Sequence, residues 1–165
     1  MIIYEEILRE FQKQRVKYIL VGGIAVNLLG ALRSTYDLDI IVEMSDSNLA
    51  KVVKILKKHG YRVKQPVDPM CIAHKKTRED WIRNKHMKAF NFYKEKELKE
   101  VDIIIESPVS YDTAKRNIQR IKIGKITLPV IALKDLIKMK KRTTRDIDKV
   151  DIKTLQKIDK LRNKK

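Results

Sequence analysis

The fold is decided by the stretch Tyr18-Ile19-Leu20-Val21-Gly22-Gly23, which is followed after thirteen residues by Asp37-Leu38-Asp39-Ile40. A short apolar run stopped by two glycines predicts a buried strand that ends in a turn. The next residues, Ile24 to Leu32, have apolar side chains at helical spacing, and Asp37 to Glu43 alternates like a strand. We therefore expect a strand, a Gly-Gly turn, a helix and a second strand that begins with two carboxylates.

The two carboxylates of this second strand suggest a metal site. Asp37 and Asp39 are two residues apart, so a strand directs both to one face. Two neighbouring negative charges repel each other, and Mg²⁺ bound to carboxylate oxygens relieves that repulsion. Asp102 lies between Val101 and Ile103 in a second apolar run and points away from the core. The alternative is that all three carboxylates are solvent-facing residues of half-buried strands.

The turn at Gly22 and Gly23 has two interpretations. Bare backbone N–H groups at the start of a helix can bind phosphate. Glycine is also the residue that adopts a positive φ in a tight turn without strain. With the carboxylates next in the chain, the first interpretation places a phosphate-binding turn beside a metal site.

The remaining pattern predicts an α+β fold. We expect a mixed β-sheet flanked by helices, with a helical C-terminus, in a single domain over residues 1–165. The predicted helices span residues 3–15, 46–59, 77–85, 111–115, 133–142 and 146–161, and the further strands span 61–64, 87–93, 101–106, 118–123 and 126–131. The segment from Pro66 to His86 gives the weakest pattern.

The composition is strongly basic. The formal net charge of +17 favours a polyanionic partner such as a nucleotide or RNA, although a surface rich in Lys and Glu would also produce it. The lone cysteine, Cys71, cannot form an internal disulfide, and the sequence contains neither a signal-peptide pattern nor an apolar run of membrane-spanning length. We therefore expect a cytoplasmic protein without membrane association.

The motifs resemble the signature of the polymerase-β-type nucleotidyltransferase superfamily. The similarity lies in Val21-Gly22-Gly23, in Asp37-Leu38-Asp39-Ile40 and in Val101-Asp102-Ile103. Two further stretches, Arg33-Ser34-Thr35-Tyr36 and Asp148-Lys149-Val150-Asp151-Ile152, resemble small stand-alone prokaryotic members, including relatives of AbiEii-type toxins.

This resemblance implies a nucleoside triphosphate substrate and Mg²⁺ or Mn²⁺ as the cofactor. Asp37, Asp39 and Asp102 would be the catalytic residues and the metal ligands. The predicted nucleotide-binding residues are Gly22, Gly23, Arg33, Thr35, Lys138 and Arg142. A basic chain of this size has little room for a separate acceptor domain, so we expect a partner subunit or a homodimer to complete the site. The resemblance implies that such a partner is a small helical or winged-helix protein, sometimes an antitoxin.

Three other features of the sequence have two interpretations each. The basic cluster of Lys138, Lys140, Lys141, Arg142 and Arg145 either neutralises phosphate or complements the C-terminal end of a helix. Asp151 falls on the apolar stripe predicted for the last helix (Ile147, Val150, Leu155 and Ile158), so we expect it to pair with Arg142 or Arg145, most simply as a structural ion pair. Trp81 either stacks on a nucleic acid or anchors the core.

The leading hypothesis is transfer of a nucleoside monophosphate from an NTP to a hydroxyl group of RNA, protein or a small molecule. The alternative is a non-catalytic module of the same fold that binds nucleotide or nucleic acid. A Mg²⁺-dependent nuclease would use similar carboxylates, but it does not explain the Gly-Gly turn that precedes them.

Overall fold

The computed structural model describes residues 3–165, so Met1 and Ile2 of the predicted 1–165 domain lie outside the described residues. The helices are α1 (Glu5–Lys13), α2 (Gly22–Leu28), α3 (Asp46–Lys58), α4 (Lys75–Asn84), α5 (Tyr111–Ala114), α6 (Leu133–Lys141) and α7 (Asp146–Arg162). The strands are β1 (Tyr18–Val21), β2 (Leu38–Val42), β3 (Arg62–Val63), β4 (Ala89–Lys94), β5 (Lys99–Ile104), β6 (Gln119–Ile123) and β7 (Ile126–Val130). Short 3₁₀ helices occupy Pro69–Ala73 and Glu95–Glu97.

The strands form one mixed sheet in the order β3-β4-β5-β2-β1-β7-β6. The central strand β2 pairs antiparallel with β1 and parallel with β5. β1 also pairs parallel with β7, and the outer pairs β3–β4, β4–β5 and β6–β7 are antiparallel. The predicted α+β fold with a mixed sheet is therefore confirmed.

The core is built from the apolar faces of these strands and helices. Helix α1 buries Ile7, Leu8 and Phe11, and the Phe11 ring contacts the Tyr18 ring edge-on with 5.1 Å between centroids. Trp81 on α4 is 4% exposed and stacks on Phe90. Its role as a core anchor is confirmed, and this contact fixes the segment whose pattern was weakest.

Helix α2 differs from its prediction at both ends. It begins at Gly22, two residues early, and ends at Leu28 rather than at Leu32, whose side chain is fully exposed. The Asn27 side chain accepts a hydrogen bond from the Arg33 N–H and donates one to the Arg33 carbonyl. These bonds replace further helical turns and direct the loop back towards β2.

The buried face of α7 matches the predicted stripe only in part: Asp151 and Leu155 are buried as predicted, but the first two apolar residues of the stripe are not. Ile147 and Val150 are 45% and 61% exposed, whereas Asp148 and Asp151 are buried. The helix is rotated in this way because both carboxylates form ion pairs with cations from other parts of the chain, and those pairs offset the cost of burying charge.

Within residues 3–165, the structure contains no helix with the length and hydropathy needed to span a membrane.

Candidate active site

The candidate site lies at the edge of the sheet where β1 ends and β2 begins. Because these two strands are antiparallel, Val21 at the end of β1 lies opposite Asp39 near the start of β2. On the other side of β2, the parallel strand β5 places Asp102 opposite Asp39. The structure thus brings the Gly-Gly turn, Asp39 and Asp102 together from three strands.

Gly22 packs directly against the Asp39 carboxylate. Its φ is +67°, a conformation that favours glycine. A Cβ at this position would overlap the carboxylate and lie 2.7 Å from its Cγ atom. The requirement for a glycine is therefore confirmed, and the predicted phosphate-binding role of the turn stays a prediction.

Gly23 makes a second close approach. A Cβ on Gly23 would lie 2.9 Å from the Thr35 Cβ and 3.1 Å from Arg33 Nη2. The loop that leads into β2 therefore folds back over the turn, which brings two of the predicted nucleotide-binding residues beside Gly23.

Asp39 and Asp102 are in an electrostatically unfavourable environment. Burial raises the pKa of Asp39 to about 7, with further contributions from the charges of Asp102 and Asp37. Burial also raises the pKa of Asp102, although a hydrogen bond from Asn91 opposes this effect. Asp37 is exposed to solvent. A cation between these groups would stabilise their ionised forms.

The donor set suits Mg²⁺ bound together with a substrate. Across residues 3–165, no three His, Cys, Asp or Glu side chains converge as a preformed metal cage. Mg²⁺ is usually held by one or two carboxylates together with substrate phosphates, so such a cage is not required. Asp39 and Asp102, with Asp37 beside them, supply hard oxygen ligands of the appropriate kind.

Tyr4 fixes the backbone on which these carboxylates lie. Its buried hydroxyl is within hydrogen-bond distance of the Tyr36 carbonyl and lies 2.8 Å from the Glu100 carbonyl oxygen. The same hydroxyl oxygen accepts a hydrogen bond of 3.1 Å from the Glu100 N–H. Tyr4 therefore connects the residue before Asp37 to the strand that carries Asp102.

A cavity of about 290 Å³ opens beside Asp39. Its lining includes apolar residues, among them Val21, Ile104 and Met139, and several cations. The basic lining residues are Lys88, Lys140, Arg142 and Arg145. An anionic ligand with an apolar portion would fit these surroundings.

An ion-pair network between α6 and α7 contributes Lys140, Arg145 and Asp148 to the lining of the cavity. The Lys140 Nζ atom lies 2.9 Å from Asp148 Oδ1 and 2.9 Å from Asp151 Oδ2. Asp148 also accepts hydrogen bonds from Thr143 and the Arg145 guanidinium. The Asp148 pKa falls to about 2 because these bonds outweigh the opposing effect of burial.

The partners predicted for Asp151 were wrong. Asp151 pairs with Arg33 and Lys140 rather than with Arg142 or Arg145. Arg33 reaches α7 because the Asn27 hydrogen bonds turn its loop, a long-range arrangement that spacing along α7 cannot reveal.

The predicted nucleotide-binding residues occupy three places. Gly22 and Arg142 line the cavity, whereas Gly23, Arg33 and Thr35 lie together beside the turn. Lys138 is exposed and lines a separate depression between α6 and α7, so its nucleotide-binding role stays a prediction without support from its position.

Lys88 lines the cavity but was not predicted. Lys140 and Arg145 also line it; they belong to the predicted basic cluster but were not among the predicted nucleotide-binding residues. A signal for Lys140 was present in the sequence. It lies four residues after Leu136 and seven after Leu133, both buried, so helical spacing places it on the buried face of α6.

Several solved structures with similar folds are nucleotidyltransferases or nucleotidyltransferase-like proteins. The lincosamide antibiotic adenylyltransferase LnuA, bound to lincomycin, is 20% identical with a TM-score of 0.63, covering 94% of this chain and 96% of that chain. ANT(2")-Ia in complex with adenylyl-2"-tobramycin is 14% identical with a TM-score of 0.58, covering 98% of this chain and 93% of that chain. An antigenic nucleotidyltransferase-like protein from Paracoccidioides brasiliensis is 14% identical with a TM-score of 0.54, covering 95% and 77% of the two chains. These similarities show that the fold is that of the nucleotidyltransferases.

The chain matches no curated protein in sequence. A family model described as "Uncharacterised nucleotidyltransferase" matches residues 2–139. That match covers most of the chain and includes the Gly-Gly turn and all three predicted carboxylates, so the chain belongs to this uncharacterised nucleotidyltransferase family.

Proposed function

We propose that the protein transfers a nucleoside monophosphate from an NTP to a hydroxyl group of an acceptor. The observation that carries the proposal is the register in which Asp39 faces Val21 on one side and Asp102 on the other. This register places Asp39 against the glycine turn and beside a basic cavity, with Asp102 level with it on the next strand, and such an arrangement suits recognition of a metal-bound triphosphate.

Asp37, Asp39 and Asp102 would hold Mg²⁺ or Mn²⁺. The bound metal would neutralise phosphate charge and favour in-line displacement of pyrophosphate. Asp39 lies opposite Val21 of β1, where the turn begins, and Asp102 lies on β5, on the side of β2 away from the turn. We therefore assign Asp39 to the triphosphate side of the site and Asp102 to the side of the attacking hydroxyl.

The triphosphate would lie between the turn and the basic residues that line the cavity. Backbone N–H groups at Gly22 and Gly23 would contact phosphate oxygens at close range. The cationic side chains of Lys88, Arg142 and Arg145 would neutralise the remaining charge. The apolar lining of the cavity is suited to the less polar parts of the nucleotide.

The acceptor is proposed as a class, namely a hydroxyl group of RNA, protein or a small molecule. The +17 charge favours an anionic acceptor such as RNA. Two solved structures with a similar fold contain lincomycin and an adenylylated tobramycin, which supports a small molecule as an alternative acceptor. A homodimer or a small helical partner, and a cytoplasmic location, stay predictions.

Calorimetric titration of each NTP with Mg²⁺ tests the nucleotide site. The wild type should bind, and the Asp37→Ala/Asp39→Ala double variant should lose the metal-dependent part. Asp112→Asn is the matched control, because Asp112 is an exposed carboxylate on α5 paired with Lys115. Binding that is absent from the wild type, or independent of the metal and of both aspartates, would contradict the proposed site.

Release of pyrophosphate from the bound NTP tests catalysis. Candidate acceptors of each class are added in turn, and Asp102→Asn serves as the variant expected to lose turnover. Metal-dependent binding without pyrophosphate release from any acceptor class would favour the non-catalytic module instead.

A further inference from the structure

Two side-chain amides connect the segment after β3 to the third carboxylate of the site. Asn91 on β4 lies opposite Asp102 on β5, and its Nδ2 donates a hydrogen bond of 2.7 Å to Asp102 Oδ1. The Oδ1 atom of Asn91 in turn accepts a hydrogen bond of 2.8 Å from Gln65 Nε2. The hydrogen bonds therefore run from Gln65 to Asn91 and from Asn91 to Asp102.

The backbone holds Gln65 in place for this contact. The Lys64 N–H donates to the Asn91 carbonyl at 3.0 Å, and the Asn91 N–H lies 3.4 Å from Gln65 Oε1. Two adjacent residues therefore contact one residue of β4, which limits the positions open to the Gln65 amide.

The Gln65 contact determines which end of the Asn91 amide faces Asp102. An amide has a donor end and an acceptor end. Because Gln65 donates to Asn91 Oδ1, the Asn91 NH₂ group must face the carboxylate. In the opposite orientation the Asn91 oxygen would face a carboxylate oxygen, and two acceptors repel each other.

The chemistry of this partner suits a metal ligand. A neutral amide orients the carboxylate without cancelling its charge, whereas a lysine or arginine would compete with the metal for that charge. The bond engages Oδ1 and leaves Oδ2 for the metal or for the acceptor hydroxyl.

We propose that Asn91 is a positioning residue for Asp102 and that Gln65 sets the orientation of its amide. This inference rests on the proposed function of Asp102. It extends that function to a segment beyond the carboxylate motifs, which the sequence did not associate with the site.

Nuclear magnetic resonance of the metal-free protein tests the contact without activity. Gln65→Leu removes the donor at similar volume, and Asp102→Asn alters the acceptor. Both should shift the side-chain NH₂ signals of Asn91. The internal control is Asn84, whose Nδ2 donates to Asp80 at 2.7 Å on the exposed surface of α4, and its signals should not move. Unchanged Asn91 signals in both variants would overturn the inference.

Titration of Mn²⁺ with a non-hydrolysable ATP analogue, followed by electron paramagnetic resonance, tests the consequence. Loss of a group that orients a metal ligand typically weakens metal binding about 10–100-fold, and we expect a decrease in that range for Asn91→Leu and a smaller one for Gln65→Leu. The control Asn84→Leu removes a hydrogen bond of the same kind on α4 and should leave the affinity unchanged.

The outcomes separate the inference from the function on which it rests. Wild-type affinity in Asn91→Leu, beside a loss in Asp102→Asn, would overturn the positioning role and leave the proposed function intact. Wild-type affinity in Asp102→Asn and in Asp37→Ala/Asp39→Ala would overturn both. A loss in Asn91→Leu and Asp102→Asn but not in Asn84→Leu would support the inference.

Discussion

Replacing Lys140 by methionine should destabilise the protein strongly. The Lys140 side chain is 6% exposed and lies between Asp148 and Asp151, which are 1% and 5% exposed. Lys140→Met keeps an unbranched apolar chain and removes the charge. Breaking a buried ion pair by removing one partner costs about 3–5 kcal/mol, because the remaining charge stays buried without compensation.

For Lys140→Met we expect a loss of stability near the lower end of this range of about 3–5 kcal/mol. Asp148 keeps its hydrogen bonds from Thr143 at 2.6 Å and from Arg145 at 2.7 Å, and Asp151 keeps its pair with Arg33. We therefore expect a decrease of about 3 kcal/mol in the free energy of unfolding at neutral pH, measured by urea denaturation.

The acid dependence of stability should change in the same variant. The pKa of Asp148 is about 2 in the folded protein against an ordinary value of 3.8. A carboxyl group whose pKa is lower in the folded protein than in the unfolded chain stabilises the fold at pH values above its ordinary pKa. That stabilisation is lost as the pH falls through the pKa of the folded state. A shift of about two units corresponds to about 2.5 kcal/mol, and Lys140→Met should lose part of it, so its stability should depend less on pH between 4 and 2.

Lys138→Met provides the matched control on the same helix. Lys138 is exposed, so its replacement should change the free energy of unfolding by no more than about 0.5 kcal/mol. Equal losses in the Lys140 and Lys138 variants, or an unchanged acid dependence in Lys140→Met, would refute the role of this network.

Three further predictions concern the carboxylates and their supports. Tyr4→Phe leaves the Tyr36 carbonyl and the Glu100 N–H without their partner, so the free energy of unfolding should fall by about 1–2 kcal/mol in thermal denaturation. An unchanged melting temperature would contradict this role of Tyr4. Gly22→Ala should abolish Mg²⁺-dependent NTP binding in calorimetry, because its Cβ would overlap the Asp39 carboxylate, and retained affinity would exclude that contact. Because burial raises the pKa of Asp39 to about 7, the metal-free protein should lose stability as the pH rises from about 4 to 7. For the same reason the affinity for Mn²⁺ should rise between pH 6 and 8 in the wild type and should not change with pH in Asp39→Asn.

The sequence predicted those elements that local pattern determines. The apolar run Tyr18–Val21 forms β1 at the predicted residues, and Ser45 caps α3 by accepting a hydrogen bond from the Asn48 N–H. Gly124 adopts a φ of +58° in the predicted hairpin turn. In each case the deciding contacts lie within a few residues of the element, so the sequence pattern is sufficient.

Prediction failed where distant residues decide the structure. Helical spacing favoured Ile147 and Val150 for the buried face of α7, but both are exposed and Asp148 is buried by its ion pair with Lys140. The burial of Asp151 was predicted, but its partner Arg33 was not. Arg33 lies 118 residues from Asp151, and no pattern within α7 encodes that partner.

The candidate site was predicted in part for the same reason. The sequence indicated that Asp37 and Asp39 share a face, but it could not show that Asp102 pairs in register with Asp39, because register depends on the whole sheet. It also could not show that Asn91 would face Asp102, since that contact arises from pairing of β4 with β5.

The mixed sheet explains how one strand can carry the centre of the site. Since β1 and β2 are antiparallel, the turn after β1 and the first residues of β2 share an edge of the sheet. The parallel partner β5 then brings Asp102 level with Asp39 from a segment more than sixty residues later in the chain. If β5 were antiparallel to β2, the residues on either side of Asp102 would exchange places along β2. Glu100, whose backbone contacts Tyr4, would then lie away from the first residues of β2. The arrangement of carboxylates, turn and Tyr4 therefore depends on β2 having one antiparallel and one parallel neighbour.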